Sequence, residues 1–435
     1  MYASSSWRAC RTAHDSFSSC VLSDLGKVVG FAGKRAILSD VEMGQLLDAL
    51  NQLKAIAFVA PPEMYHSYFN SLNILRRGAN YSEIRRTLLQ VGNALVEPCL
   101  RNKIAVRLPI AVKRNGWFKL PGMRADGFIK MGSTTTTITT DCLLQIPREI
   151  LRLEDESWMA RCDAIRLRGP TEPILTEIER YREEACRIQS ADDISPSKPN
   201  LEVISTATDS GRIIATKYCE AANLIRRVDN ESYRELQILT KFVVPLEGNS
   251  KFIGGSALSL YGATFLKLQS TWSPLCFADH LIHEAAHQLL HAVQELQPLI
   301  LNREQYGAQS PIRSDPRPLY GIFHATFVFL RLSEFMSKAL NVLTAPEEKR
   351  EAELRLNRHL LGLLQGLDTI LEHGEFSHYG DIEVEEWVSH AISLCDHHGT
   401  PDASLVSALN WDYERAPILT IPRRFKTHRA SPAIK

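Results

Sequence analysis

The sequence has no Cys-x-x-Cys pair, no excess of either charge, and no apolar run approaching the roughly 18 residues that a membrane span needs. The first absence removes cysteine zinc modules. The nine cysteines are odd in number and widely spread, which fits free thiols in a reducing compartment better than a disulfide framework. The second absence, 50 Lys and Arg against 50 Asp and Glu, leaves nothing that marks a nucleic-acid partner or an anionic membrane surface. The third argues against a membrane protein. The opening residues, Met1-Tyr-Ala-Ser-Ser-Ser-Trp-Arg, lack a hydrophobic signal core, so the expectation is a cytoplasmic protein. What remains is ordinary for a globular chain: 44% hydrophobic and 23% charged residues over 435 positions, enough for a sizeable core.

Against that background one stretch stands out, Asp279 to His291, which contains His283-Glu-Ala-Ala-His287. On a helix, residues four apart lie one turn apart on one face, so His283 and His287 can reach a single metal ion. Glu284 follows the first histidine and can take a proton from a metal-bound water or hydrogen-bond a ligand. No Pro or Gly occurs from Phe277 to Gln297, and Pro274 and Asp279 stand where a helix would start. Leu281, Ile282, Ala285, Ala286, Leu289, Leu290 and Val293 make this helix apolar and therefore buried. A short pattern can arise by chance, but chance matches favour charged surface helices. Four histidines on one stripe of a buried helix (His280, His283, His287, His291) need partners, and a metal is the better explanation.

The rest of the chain divides by texture. Residues 1 to about 100 read as helical, with Leu46, Leu47, Leu50, Leu53 and Ile56, then Ile84, Leu88, Leu89 and Val91, at helical spacing. The first twenty residues, rich in Ser, Cys and Arg, read as loosely held. Between about 101 and 147, β-branched and alternating runs broken by glycine read as short strands, the Thr134–Thr140 run among them. Charged helical text follows, at 154–156 and from Glu177 to Arg187. The breaker-rich Asp192-Asp-Ile-Ser-Pro-Ser-Lys-Pro-Asn marks the expected boundary. Three parts result: an N-terminal region to 195, a metal-binding domain from 200 to 398, and a polar tail from 399 to 435. Within the second, Ile213–Val228 and Tyr233–Phe242 read as helices, the latter capped by Asn230 or Ser232. Phe252 to Leu268 reads as one or two strands. Such a strand can hold an extended peptide by strand addition, or can serve only as core.

From Leu319 a second apolar helix carries His324, which beside the first helix becomes the leading third ligand. Arg331 lies two turns further along the same face, about 10 Å from His324 along the axis. An always-charged residue in an apolar helix needs a fixed anion: either Glu334, three residues on, or the carboxylate of a small cosubstrate. Arg317, between two prolines, is a second candidate clamp. Leu354 to Leu371 reads as a further helix ending at His373-Gly374, and a short helix runs through Trp387 to Leu394. The expected class is therefore α+β, predominantly α-helical, with a buried HExxH helix packed against a second apolar helix and a small sheet.

The longer metalloprotease signatures are not met. Leu290 and Val293 occupy the Gly and His positions of His-Glu-x-x-His-x-x-Gly-x-x-His, and no downstream Asn-Glu-x-x-Ser-Asp run follows, though Glu334 could serve as a ligand. The combination of Gly254-Gly-Ser-Ala-Leu-Ser, His283-Glu-Ala-Ala-His287, Asp315-Pro-Arg-Pro-Leu-Tyr-Gly-Ile-Phe-His324 and Leu367 to Gly380 resembles the HEXXH-motif peptide-modification proteins, over roughly residues 200 to 395. The resemblance implies a non-haem Fe(II)/2-oxoglutarate-dependent enzyme that β-hydroxylates a ribosomally made precursor peptide. His283, His287 and His324 would hold iron, and Arg331 or Arg317 the distal carboxylate of 2-oxoglutarate. Glu284, Asp315 and Glu334 remain possible ligands, because the usual iron triad includes a carboxylate. Two alternatives stay open: a zinc peptidase with Glu284 as general base, and a non-catalytic peptide-binding protein whose structural metal is closed by His291 or His280.

Overall fold

The computed structural model describes residues 7–56, 58, 60–111, 117–118, 129–130, 135–139, 166–167, 172–192, 200–205, 208–248, 252–267, 269, 271–306 and 317–402. The charged text at 154–156, the breaker segment 193–199, Asp315 and the tail from 403 lie outside these. The chain opens with four helices, α1 (Trp7–Lys34), α2 (Asp40–Ala55), α3 (Pro62–Arg76) and α4 (Tyr81–Arg101). The start is not loosely held from Trp7 onward. Cys10, Ala13, Phe17, Val21 and Leu25 recur every three or four residues and are all buried, which gives α1 one continuous apolar face. Ser39 begins α2 with a capping box, its hydroxyl accepting from the Glu42 N–H while Glu42 accepts from the Ser39 N–H.

Strands β1 (Arg107–Ala111) and β4 (Thr135–Thr139) pair antiparallel, Arg107 opposite Thr139, so the threonine run is a strand. β2 (Trp117–Phe118) and β3 (Ile129–Lys130) form a second short ribbon. The main sheet contains β5 (Arg166–Leu167), β6 (Leu201–Val203), β7 (Phe242–Gly248), β8 (Gly254–Ser256) and β9 (Ala263–Lys267). Its order is β5-β7-β9-β8, with β6 also on β7; β7 and β9 run parallel and β8 and β9 antiparallel. Helix α5 (Glu172–Asp192) buries Ile174, Ile178 and Tyr181 in a small apolar cluster with Val244, Leu246 and Phe265.

Helices α6 (Asp209–Val228) and α7 (Asn230–Leu239) follow β6. The cap of α7 is Asp229, which accepts from the Glu231 N–H and the Ser232 hydroxyl, rather than Asn230 or Ser232. The helix also ends earlier than expected, because Phe242 already begins β7. Helix α8 (Pro274–Leu296) is capped by Ser273, whose hydroxyl accepts from the Cys276 N–H, with Pro274 in the first turn. Gln288 ties α8 to the sheet by accepting the Gly262 N–H at 2.8 Å and donating to the Thr264 hydroxyl at 3.0 Å. Helix α9 (Leu319–Val342) packs on α10 (Pro346–His373), where a side chain at Gly366 would collide with Thr326. Helix α11 (His378–His398) is longer than the segment expected there and buries Trp387 against Phe323 and Phe327.

One apolar core runs from Cys10 in α1 to Ala391 in α11. Helices α1 and α8 thus contribute to the same core cluster. The fold is a predominantly helical α+β arrangement, and among the described residues no helix is long and apolar enough to cross a membrane.

Candidate metal centre

Helix α8 is buried along almost its whole length, and the exceptions locate the site. From Leu275 to Gln294 every residue is buried except His283, His287 and His291. These three are spaced by four, so they form one partly exposed strip on a helix otherwise enclosed by protein. His283 Nε2 and His287 Nε2 are 3.2 Å apart. Two nitrogens each about 2.1 Å from one ion, at an angle near 100°, would be separated by about 3.2 Å. The pair fits a metal.

Only partly exposed, these rings are still held away from bulk water, and this fixes their protonation. Burial pushes His287 down to about 4, and burial with the neighbouring His287 and His280 holds His283 well below the ordinary imidazole value. His291 is lowered to about 3 by burial, His287 and Arg303; His324 falls well below its usual value through burial, His291 and His287. All four are neutral near pH 7, the form in which imidazole carries a lone pair for a metal.

Glu284 sits beside this pair under β8. Its Oε1 is 3.9 Å from His283 Nε2, and a side chain at Gly254 would come within 3.0 Å of the same oxygen. It would also meet Leu266 at 2.9 Å, so glycine suits this close approach of strand and carboxyl. The carboxyl is buried, its Oε2 has no hydrogen-bond partner, and burial raises its pKa to about 8 despite the nearby Ser256 hydroxyl. A buried, unsatisfied carboxyl oxygen beside two metal-competent nitrogens is a costly arrangement that a bound cation would relieve. A pH dependence follows. The folded-state pKa lies above the ordinary 4.5, so the contribution of this group to stability is complete below about pH 4.5 and lost as the pH rises to about 8. Glu284→Gln should melt like the wild type at pH 5 and clearly above it at pH 9, both metal-free. Equal melting temperatures at pH 9 would contradict the buried, partnerless carboxyl.

The remaining histidines are arranged unequally. His324, buried on α9, places its Nδ1 3.3 Å from His287 Nδ1, on the side of that ring away from His283, and its Nε2 3.0 Å from Gln294 Nε2. His291 Nδ1 lies 3.2 Å from the Tyr320 hydroxyl, and the Arg303 guanidinium stands 5.0 Å over the Tyr320 ring. His280 stacks on Trp272 at 4.3 Å. Asp279 is not a first-turn residue: it accepts from Arg355 at 2.7 Å and pairs with His359 at 3.0 Å. Burial alone would raise its pKa, but His359 and Arg355 outweigh burial and hold it well below the carboxylate range. Among the described residues, no three His, Cys, Asp or Glu side chains converge on one point as a metal cluster.

The two arginines separate. The Arg331 guanidinium is taken by Glu235 on one side and Glu334, at 3.2 Å, on the other; Glu334 also meets His390 at 2.8 Å. With Glu235, Arg331 lines a small pocket against Ile282, Ala285, Ala286 and Leu289. At 100° per residue these occupy the face of α8 turned away from His283 and Glu284. Arg331 therefore sits in an internal ion pair, Glu334 being one of the two anions expected for it. Arg317 stands just ahead of α9, its Cδ 3.9 Å from where a Cβ at Gly321, one turn before His324, would lie. Sequence reading passed over Gln294, Tyr320, Arg303, Trp272, Arg355 and His359. Only Gln294 carried a local signal: it is a polar residue two turns from His287 on an apolar helix.

No family model matches the chain, and no curated protein matches it.

Proposed function

We propose that this protein is a metal-dependent enzyme acting on a peptide, with His283 and His287 on the metal and Glu284 as the proton-handling group beside it. The observation that carries this reading is the strip of three histidines left open on a buried helix, with two Nε2 atoms at metal-ligand separation. The resemblance of the motif set to HEXXH-motif peptide-modification proteins supports the finer assignment, a non-haem Fe(II)/2-oxoglutarate-dependent hydroxylase of a ribosomally made precursor peptide.

His283 and His287, neutral and pre-positioned by α8, bind the ion without first losing protons. Iron with 2-oxoglutarate and O2 supplies C–H hydroxylation. Strand β8 ends the sheet and pairs only with β9 among the described residues. A peptide extended along its outer edge would pass Glu284 and the histidine pair. Arg317 is assigned to the distal carboxylate of 2-oxoglutarate, in place of Arg331. A second reading, zinc-dependent peptide hydrolysis, is favoured by one observation: Glu284, with a pKa near 8 and one unpartnered oxygen, suits a general base.

Anaerobic loading with Fe(II) followed by 2-oxoglutarate discriminates the two. The hydroxylase gives a visible metal-to-ligand charge-transfer band that is lost in Arg317→Leu. No band with iron, together with peptide cleavage by the zinc-loaded protein, would overturn the hydroxylase in favour of the peptidase.

A further inference from the structure

The hydrogen-bond partners of His287 lie on opposite edges of its ring, and this determines what His324 can do. A neutral imidazole has one N–H and one acceptor nitrogen, and an amide nitrogen only donates. With the Gln294 amide oriented so that Nε2 faces His324 Nε2 at 3.0 Å, that nitrogen accepts and the proton of His324 is on Nδ1. His324 Nδ1–H then donates to His287 Nδ1 at 3.3 Å, and His287 Nε2–H donates to His283 Nε2 at 3.2 Å. The metal-free rings form a one-way chain from Gln294 to His283.

Resting on the reading that His283 and His287 hold the ion, we infer that His324 is not the third ligand but the positioning residue that sets the tautomer of His287. A cation taking the Nε2 lone pair of His287 requires that ring to carry its proton on Nδ1. That N–H donates to His324 Nδ1, His324 carries its own proton on Nε2, and the Gln294 amide turns half a revolution to accept it through Oε1. One proton changes nitrogen on each of two rings, and none is gained or lost. His324 is buried; it meets His287 through Nδ1 at 3.3 Å and His291 at 4.6 Å between ring centroids, and its near nitrogen lies behind His287 as seen from His283.

Cobalt(II) titration with a competing chelator tests this. The side-chain oxygen of asparagine occupies the place of histidine Nδ1, so His324→Asn should keep the acceptor for His287, with near-native Co(II) affinity and unchanged visible ligand-field bands. His324→Phe, which removes the acceptor, should bind 10- to 100-fold more weakly with the same bands. His283→Ala should lose binding altogether. Shifted bands in His324→Asn, with affinity as low as in His283→Ala, would make His324 a ligand and overturn the inference while leaving the metal site standing. Wild-type protein that binds no Co(II) would overturn both. Should the Asn variant not fold, long-range 1H–15N spectra of the wild type decide. His287 should be protonated on Nε2 without metal and on Nδ1 with zinc, with both His324 nitrogens free of metal; a metal-shifted His324 nitrogen would refute the assignment.

Discussion

Arg331→Leu will destabilise the protein by about 3–5 kcal/mol and leave 2-oxoglutarate affinity unaltered in whatever protein still folds. The cost follows from what the guanidinium now satisfies. Its side chain is 10% exposed and that of Glu235 only 6%, so removing the cation leaves a carboxylate buried without its counter-charge. Burial lowers the Arg331 pKa, but Glu235 and Glu334 more than reverse this, so the charge is fixed at every accessible pH. Converting both partners, Arg331→Leu with Glu235→Leu, should recover much of the lost stability, because a buried pair replaced by apolar side chains is often neutral. Urea melts of the three proteins measure this. A single variant as stable as the wild type, or one that loses 2-oxoglutarate affinity without losing stability, would return Arg331 to the cosubstrate.

Replacing His283 or His287 by alanine will abolish metal binding. Each ring supplies one of the two nitrogens 3.2 Å apart, and neither has a substitute within the strip. His291, the remaining partly exposed histidine, engages the Tyr320 hydroxyl and lies tilted against His324 at 4.6 Å between ring centroids. Metal analysis after dialysis against Zn(II) or Fe(II) should give wild-type protein loaded and both variants empty. Stability should change little, since both positions are partly open and lose neutral side chains. Either variant retaining full occupancy would place the site elsewhere.

Much of this site could be read from the residues because its parts are local. The four-residue spacing of His283 and His287, the helix start at Pro274 and the apolar text from Leu319 all depend on neighbours within a turn or two. What could not be read depends on distant chain. Glu235 lies 96 residues before Arg331, and no spacing rule points to it; Glu334, three residues on, was the visible partner and is only half the account. Strand β7 was hidden because a short apolar run such as Val243-Val-Pro-Leu246 has no period that separates strand from helix end, and Pro245 argues against a central strand. The composition of the first twenty residues suggests a loose hold, although Cys10, Ala13, Phe17 and Val21 carry the helical period that packs α1. Of the expected buried histidine stripe only His280 is buried: His283, His287 and His291 are the partly exposed positions, and the rest of the helix from Leu275 to Gln294 is enclosed.

The central claim is that His283 and His287 together hold one catalytic metal ion. X-ray absorption at the metal edge of the loaded wild-type protein tests it most directly. One ion per chain, with imidazole scattering that disappears in His283→Ala and His287→Ala, is the predicted result. An ion bound with no imidazole in its coordination, or imidazole scattering unchanged in both variants, would contradict it.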